Sequence, residues 1–227
     1  MKFLTISDVV LDNLYSEHIK DRFHNIDAVL ACGDLPHNYI DYIISMLDVP
    51  LYFVLGNHDT YYYNFERERN KYRLDFYPSL FPTIQIERNV YKLSFGGINL
   101  HMKIVDFNGV LIGGLEGSMR YNNKILQYTE SEMWWNMVKM VPKLIFNKVT
   151  KGRYIDILIT HAPPFGIHDQ EDPCHKGFKT FLTFMKLFRP KYLIHGHIHL
   201  YDNYTAIKDT YKDTIVLNTY GYQIIEI

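Results

Sequence analysis

Short apolar runs alternate with amphipathic stretches through the first quarter of the chain. Residues 3–7 read as a strand, 14–24 as a helix, 28–32 as a second strand, 39–47 as a helix and 51–55 as a third strand. Strand–helix–strand alternation at this spacing predicts parallel βαβ units. From Thr83 the pattern changes: 83–87, 90–95, 99–105 and 110–113 read as strands joined by short turns, a meander. A helix over 130–146 carries Trp134 and Trp135. A strand at 155–160, a helix at 178–188 and a strand at 192–195 follow, and 214–227 reads as strands around a turn at Tyr220-Gly221. The segment 61–77, rich in Tyr, Arg and Glu, reads as an exposed, partly helical excursion. No break in composition divides the chain, so 1–227 is expected to form one α/β domain with two sheets.

Composition narrows the function classes. With 47% hydrophobic and 22% charged residues, a real core can form and intrinsic disorder is excluded. Lys and Arg number 24 against 25 Asp and Glu, a net charge of −1, which lacks the cationic excess a polynucleotide surface needs. The segment 67–71 is too mixed in sign to change that. Two cysteines, Cys32 and Cys174, argue against a disulfide scaffold and a cysteine-based zinc ribbon. No apolar run approaches the roughly 20 residues that span a bilayer, and the apolar start ends at Asp8, too short for a signal-peptide core. The expectation is a cytoplasmic protein with no membrane partner; the pattern carries no signal for an oligomeric state. Eleven histidines, about twice an ordinary share, are the oddity.

Ligand-capable residues collect where strands end. Asp8 follows the first strand, Gly33-Asp34 the second and Gly56-Asn57-His58-Asp59 the third. His161 follows the 155–160 strand, and Gly196-His197-Ile198-His199 follows 192–195. In open α/β sheets, sites form at the carboxyl ends of strands, where neighbouring loops converge. Singly, each piece has a structural alternative: a helix N-cap for Asp8, a plain turn for Gly33-Asp34, a loop histidine for His161. His197 and His199 alternate, so an extended backbone puts both imidazoles on one side. Together and in order, the set favours function. Asp, Asn and His suit a divalent transition metal such as Mn, Fe, Zn or Co. An aspartate that can bridge, flanked by ligands on both sides, suits two ions about 3.5–4 Å apart.

These motifs resemble the calcineurin-like metallophosphoesterase superfamily over 8–218. That family's ordered signature is Asp-x-His, Gly-Asp, Gly-Asn-His-Asp or Glu, a lone His, then Gly-His-x-His. The segments 114–121 and 160–164 are similar to a bacterial-type branch. The resemblance implies a four-layer αββα sandwich of two mixed β-sheets flanked by helices. It implies a hydrolase of a phosphodiester or small phosphomonoester with a dinuclear centre, manganese heading the candidate ions. Asp34 would bridge the two metals, with Asn57, His161 and His197 on the second ion and Asp8 and His199 on the first. His58, held by Asp59, would act at the leaving group as a general acid or phosphate-stabilising cation, and a metal-activated hydroxide would attack phosphorus in line.

One position departs from the signature. The first motif wants a histidine two residues after Asp8, and this chain has Val10, which cannot coordinate. Three outcomes are open: a weaker first ion completed by water, replacement by Asp12, or a centre with one ion or none. The reading favoured is two sites with the first weakened. The loop from His161 to Gly177 must pass beside the metals, so His168, Asp169 and His175 are candidate substrate contacts, as are Asn57 and His58. Arg120 is a candidate phosphate ligand, with a surface salt bridge as the competing role. Cys174 reads as a bystander. The competing function is a binding or scaffold protein on a decayed phosphoesterase site, which Val10 supports and the remaining ligands oppose.

Overall fold

The computed structural model describes residues 1–59, 96–122, 124–200 and 208–227. The predicted strands at 83–87 and 90–95 and the excursion at 61–77 lie outside the described residues. The elements run β1 (Lys2–Ser7), α1 (Ile19–Phe23), β2 (Ala28–Ala31), α2 (His37–Leu47), β3 (Leu51–Phe53), β4 (Ile98–Asn99), β5 (Ile104–Phe107) and β6 (Val110–Leu115). Then come β7 (Ser118–Met119), β8 (Gln127–Tyr128), α3 (Glu130–Lys151), β9 (Ile157–Thr160), α4 (Lys179–Phe188), β10 (Tyr192–His195), β11 (Lys208–Tyr211), β12 (Thr214–Asn218) and β13 (Gly221–Glu226). They build a five-stranded sheet ordered β13-β1-β2-β3-β4 and a six-stranded sheet ordered β11-β12-β10-β9-β6-β5. Both are mixed: β13 runs antiparallel to β1, and β11 and β5 close the second sheet antiparallel to β12 and β6. The interior pairs are parallel.

Strand alternation sorts the apolar side chains into three layers, because successive residues face opposite sides of a sheet. In β1, Phe3 enters the layer between the sheets while Leu4 and Ile6 face α1 and α2. In β9, Ile157 and Ile159 join Phe3 between the sheets, while Leu158 turns toward α3 and α4. The central strands that supply the layer between the sheets are buried on both faces, which is why they read as continuous apolar runs. Helix, sheet, sheet and helix therefore stack as the four-layer αββα arrangement.

The outer helices are set by local chemistry. Thr129 and Glu132 form a reciprocal capping box at the start of α3, and Gly152 ends it in a left-handed conformation. α4 has no side-chain cap of its own. Glu130 of α3 supplies one: its carboxylate accepts from the amides of Thr180 at 2.6 Å and Lys179 at 3.1 Å. That bond fixes α4 against α3 and so fixes where the loop preceding α4 must end.

Three elements differ from the pattern reading. The predicted helix at 14–24 is helical only at Ile19–Phe23, and Leu14 and Tyr15 sit in turns closed on Leu11. The predicted strand at 99–105 is split: β4 pairs in parallel with β3 in the first sheet, and only β5 forms a hairpin with β6. The turn at Tyr220-Gly221 joins no hairpin either. β12 belongs to one sheet and β13 to the other, so the chain crosses between sheets there, with Gly221 at φ 82°. Strand periodicity gives a residue's face but not its partner strand, so the sheet assignment was not legible locally.

Candidate metal centre

The two sheets stack face to face with the carboxyl ends of β1, β2, β3, β9 and β10 at one end, and specific bonds close the seam there. Gly117 donates its amide to Leu55 O at 2.8 Å, and Ala162 donates to Gly117 O at 3.3 Å. Thr5 and Thr219 share a buried hydroxyl–hydroxyl bond of 2.5 Å. The five predicted segments emerge into this seam.

Glycines permit the approach. A Cβ on Gly33, at φ 92°, would run into the backbone of Gly56, and one on Gly196 would strike Ser7 and Asp8. Three of the ligand candidates themselves adopt left-handed backbone: Asp8 at φ 66°, Asp34 at φ 56° and His197 at φ 67°. Non-glycine residues seldom do so, and such strain concentrates at functional sites.

His161 lies at the middle of the seam, fully buried. Its Nδ1 donates to Cys32 O at 2.7 Å, and its Nε2 faces Asn57 Oδ1 at 3.0 Å and Asp34 Oδ2 at 3.2 Å. Asn57 is turned the right way for this, since its Nδ2 donates to Tyr121 Oη at 3.3 Å. Asp34 Oδ1 accepts from the amide of His58 at 2.8 Å. His197 donates through Nε2 to Cys174 O at 2.7 Å, which leaves its Nδ1 as the basic nitrogen. Ligand atoms of Asp34, His161 and His197 all lie within 4.8 Å of one another.

Asp8 stands on the other side of the seam. Its Oδ2 accepts from Ser7 Oγ and from the amide of His197 at 2.9 Å. Its Oδ1 is buried without a hydrogen-bond partner, with His199 Nε2 at 3.8 Å. The His199 ring is tilted against Tyr220 at 4.9 Å. The side-chain amide of Asn218 donates to Ile198 O at 2.9 Å and holds the 196–199 turn in place.

The electrostatics mark where positive charge belongs. Burial alone would lower the His161 imidazole, yet the Asp34 carboxylate outweighs it and lifts the group to about 9. Burial likewise works to raise Asp34, and the His161 charge overrides it, holding Asp34 at about 2. Asp59 is pushed up to about 7 by burial and then by the charge of Asp34, against the pull of the backbone amides it accepts. Burial, seconded by His161, depresses His197 to about 4, so it stays neutral. The Asp8 carboxylate, 3.8 Å away, raises His199.

These residues fit divalent cations. With Nδ1 of His161 already donating, its Nε2 can meet two oxygen acceptors favourably only by carrying a proton or by giving way to a cation between them. The orphaned Oδ1 of Asp8 asks for the same on its side, because a buried unpaired carboxylate oxygen is costly. The donor set of carboxylate, amide oxygen and neutral imidazole suits the middle first-row divalent ions.

The remaining predicted site residues are placed as follows. His58 is exposed at the rim, bonded to Asp34 through its amide. Asp59 Oδ2 accepts from the amides of Asp34 at 2.8 Å and Gly56 at 2.7 Å, so it ties together the two loops that carry Asp34 and Asn57. The ring of His175 packs 5.3 Å from that of His197. Asp169 braces its own loop, accepting from Gly166 at 2.9 Å and Gly177 at 3.1 Å. His168 pairs with His195, Nδ1 to Nε2, at 2.9 Å. Arg120 donates to both carboxylate oxygens of Glu132, at 2.9 and 2.8 Å. Val10 is 39% exposed. Ser7, Asn218 and the carbonyls of Cys32 and Cys174 also shape the centre. None was singled out from the sequence: a backbone carbonyl carries no sequence signal, and Ser7 and Asn218 act through side chains that lie outside the recognised motifs.

An αββα sandwich with imidazoles, carboxylates and an amide converging at the sheet seam defines a metal-dependent phosphoesterase architecture. The sequence profile of the calcineurin-like phosphoesterases matches residues 1–201, and the chain belongs to that family. One crystal structure superposes with a TM-score of 0.63 at 17% identity, covering 99% of this chain and 94% of the other. The crystal structure of TT1561 of Thermus thermophilus gives a TM-score of 0.60 at 14% identity, covering 97% of this chain and 89% of that one. At these identities the likeness speaks for the fold. Comparison with curated protein sequences gives no significant match.

Proposed function

We propose that the protein hydrolyses a phosphodiester or a small phosphomonoester at a centre of two divalent ions, with manganese the first candidate. The observation that carries this reading is the convergence of His161 Nε2, Asp34 Oδ2 and Asn57 Oδ1 within 3.2 Å contacts, beside the unpaired Oδ1 of Asp8. Asp34 would contact both ions, Asn57, His161 and His197 one, and Asp8 and His199 the other. When bound, such ions supply Lewis acidity to the phosphoryl oxygens and acidify a water into a nucleophile.

The chain's own groups do the rest. Cys32 O and Cys174 O hold the two buried imidazoles in the tautomers that leave Nε2 of His161 and Nδ1 of His197 basic. The exposed imidazole of His58, next to Asn57, is available to protonate the departing oxygen. Asp59 keeps the two loops in register. His175, packed on His197, remains a candidate substrate contact. Arg120, His168 and Asp169 are engaged elsewhere and would have to exchange partners to reach a substrate.

The chain 1–227 is read as one domain, because both sheets share one apolar layer. Among the described residues no helix is long and apolar enough to cross a membrane. A cytoplasmic setting is supported by both cysteines being free thiols. The balanced charge favours a small phosphate ester over a polynucleotide. The test is hydrolysis of an aryl phosphate ester, with and without chelator. Activity should need added Mn²⁺ and disappear in Asp34→Ala and His197→Ala. A broad panel of phosphate esters left intact with Mn, Fe, Zn and Co would favour the second reading, a binding protein on a decayed site, for which Val10 speaks.

A further inference from the structure

The loop between His161 and α4 carries a second group of donor atoms, beside the seam. Cys174 Sγ donates to Asp172 Oδ2 at 2.6 Å and lies 3.4 Å from His175 Nδ1. That nitrogen lies 3.0 and 2.9 Å from the two oxygens of Asp172. A thiol, an imidazole and a carboxylate thus each place one donor atom within 4.8 Å of the others. Around zinc, with bonds of about 2.0–2.3 Å, tetrahedral donors of these types stand roughly 3.3–3.6 Å apart. The separation of Cys174 and His175 already matches. The contacts to Asp172 are shorter and need to open by about 1 Å or less to admit the ion.

Two further features distinguish this group from an ordinary surface turn. The loop is a closed frame: Asp169 accepts from the amides of Gly166 and Gly177, and Gln170 donates to His175 O at 3.2 Å. Ordering the donors therefore costs little additional entropy on binding. The group also touches the seam centre. Cys174 O accepts from His197 Nε2 at 2.7 Å, and the rings of His175 and His197 are 5.3 Å apart.

We propose that Asp172, Cys174 and His175 form a separate site for one soft divalent cation, zinc or cobalt(II), and that its occupation steadies the Cys174 carbonyl against His197. Binding transfers the thiol proton of Cys174 to solvent and leaves sulfur as a thiolate ligand, with no change of oxidation state. The side chains of His175 and Asp172 stay 36% and 42% exposed, so water completes the coordination. A thiolate separates this site chemically from the seam, whose ligand candidates include no sulfur. The other cysteine, Cys32, is buried and directs its Sγ to Ile194 O at 3.6 Å.

The test is cobalt(II) titration of the metal-depleted full chain, followed by near-ultraviolet absorption. A thiolate-to-cobalt charge-transfer band should grow to one ion per chain, vanish in Cys174→Ser and need at least about tenfold more cobalt in His175→Ala. Circular dichroism checks that each variant keeps the native fold. Absence of the band in the wild-type chain at saturating cobalt, or its survival in Cys174→Ser, overturns the proposal. The readout is independent of hydrolysis: a chain with the band and no esterase activity keeps this site and loses the proposed function, and the converse result separates them the other way.

Discussion

His161 Nε2 stands 3.2 Å from Asp34 Oδ2, although Asp34 follows β2 of the five-stranded sheet and His161 follows β9 of the six-stranded one. The contact exists only because the sheets pack face to face. Its nitrogen is aimed by a carbonyl of the opposite sheet, Cys32 O, through the other ring nitrogen. One ligand pair therefore reports on the assembly of the entire sandwich.

Loss of either member should remove the chemistry. Since loss of a partner that merely orients a ligand costs about 10–100-fold in metal affinity or activity, Asp34→Ala and His161→Ala should each lower Mn²⁺-stimulated esterase turnover by more than about 100-fold. Steady-state kinetics on an aryl phosphate ester checks this. A variant retaining more than about a tenth of the wild-type rate would remove that residue from the centre.

The same pair sets a pH dependence of stability in metal-depleted protein. His161 is raised to about 9, above its ordinary value of about 6.5. A raised histidine contributes its stability in full below about 6.5 and loses it as pH climbs through about 9. Asp59, raised to about 7, also loses its contribution as pH rises, mostly below that value. His197, lowered to about 4, acts in the opposite direction but only below about 6.5. With chelator present, the melting temperature should fall between pH 6.5 and 9, and His161→Gln should flatten that fall. Added Mn²⁺ should oppose it, because metal ligands bind deprotonated. Differential scanning calorimetry across the pH range decides.

Gly33→Ala should damage both fold and centre. The position has φ 92°, and a Cβ would meet the backbone of Gly56. Backbone strain alone costs about 1–3 kcal/mol, and displacing Gly56 would also move Asn57. The expected result is a lower melting temperature together with fewer bound ions per chain by elemental analysis. Full metal content at wild-type stability would contradict the close approach.

Mn²⁺ should bind the metal-depleted chain in two steps of unequal affinity. The weaker step should belong to Asp8 and His199, whose neighbour at position 10 is a valine where the family signature has histidine. Val10→His should tighten the weaker step by about tenfold or more, leaving the stronger one unchanged. Isothermal titration calorimetry measures both; a single stoichiometric step in the wild-type chain would overturn the dinuclear reading.

The order of elements was legible in the chain, and so were most residues of the candidate centre. β10 at Tyr192–His195 coincides with its predicted range, and β2, β3, α2 and α4 fall close to theirs. Their apolar periodicity is local and unambiguous. The same pattern failed at 99–105, where a two-residue strand joins β3 and the next joins β6, because pairing is decided by residues distant in sequence. The candidate ligand motifs were visible because metal chemistry demands particular side chains at strand ends.

What the sequence determined by itself was the inventory: which side chains can bind a cation, that they end parallel strands, and that Val10 breaks the signature. Tertiary structure alone decided their assignments. It engaged Arg120 with Glu132, His168 with His195 and Asp169 with its own loop, and it brought Asn218, Ser7 and two backbone carbonyls to bear on the centre. Side-chain identity is written residue by residue, whereas a hydrogen bond across the seam depends on where two sheets come to rest. That position follows from packing the shared apolar layer, to which residues as far apart in sequence as Phe3 and Ile225 contribute.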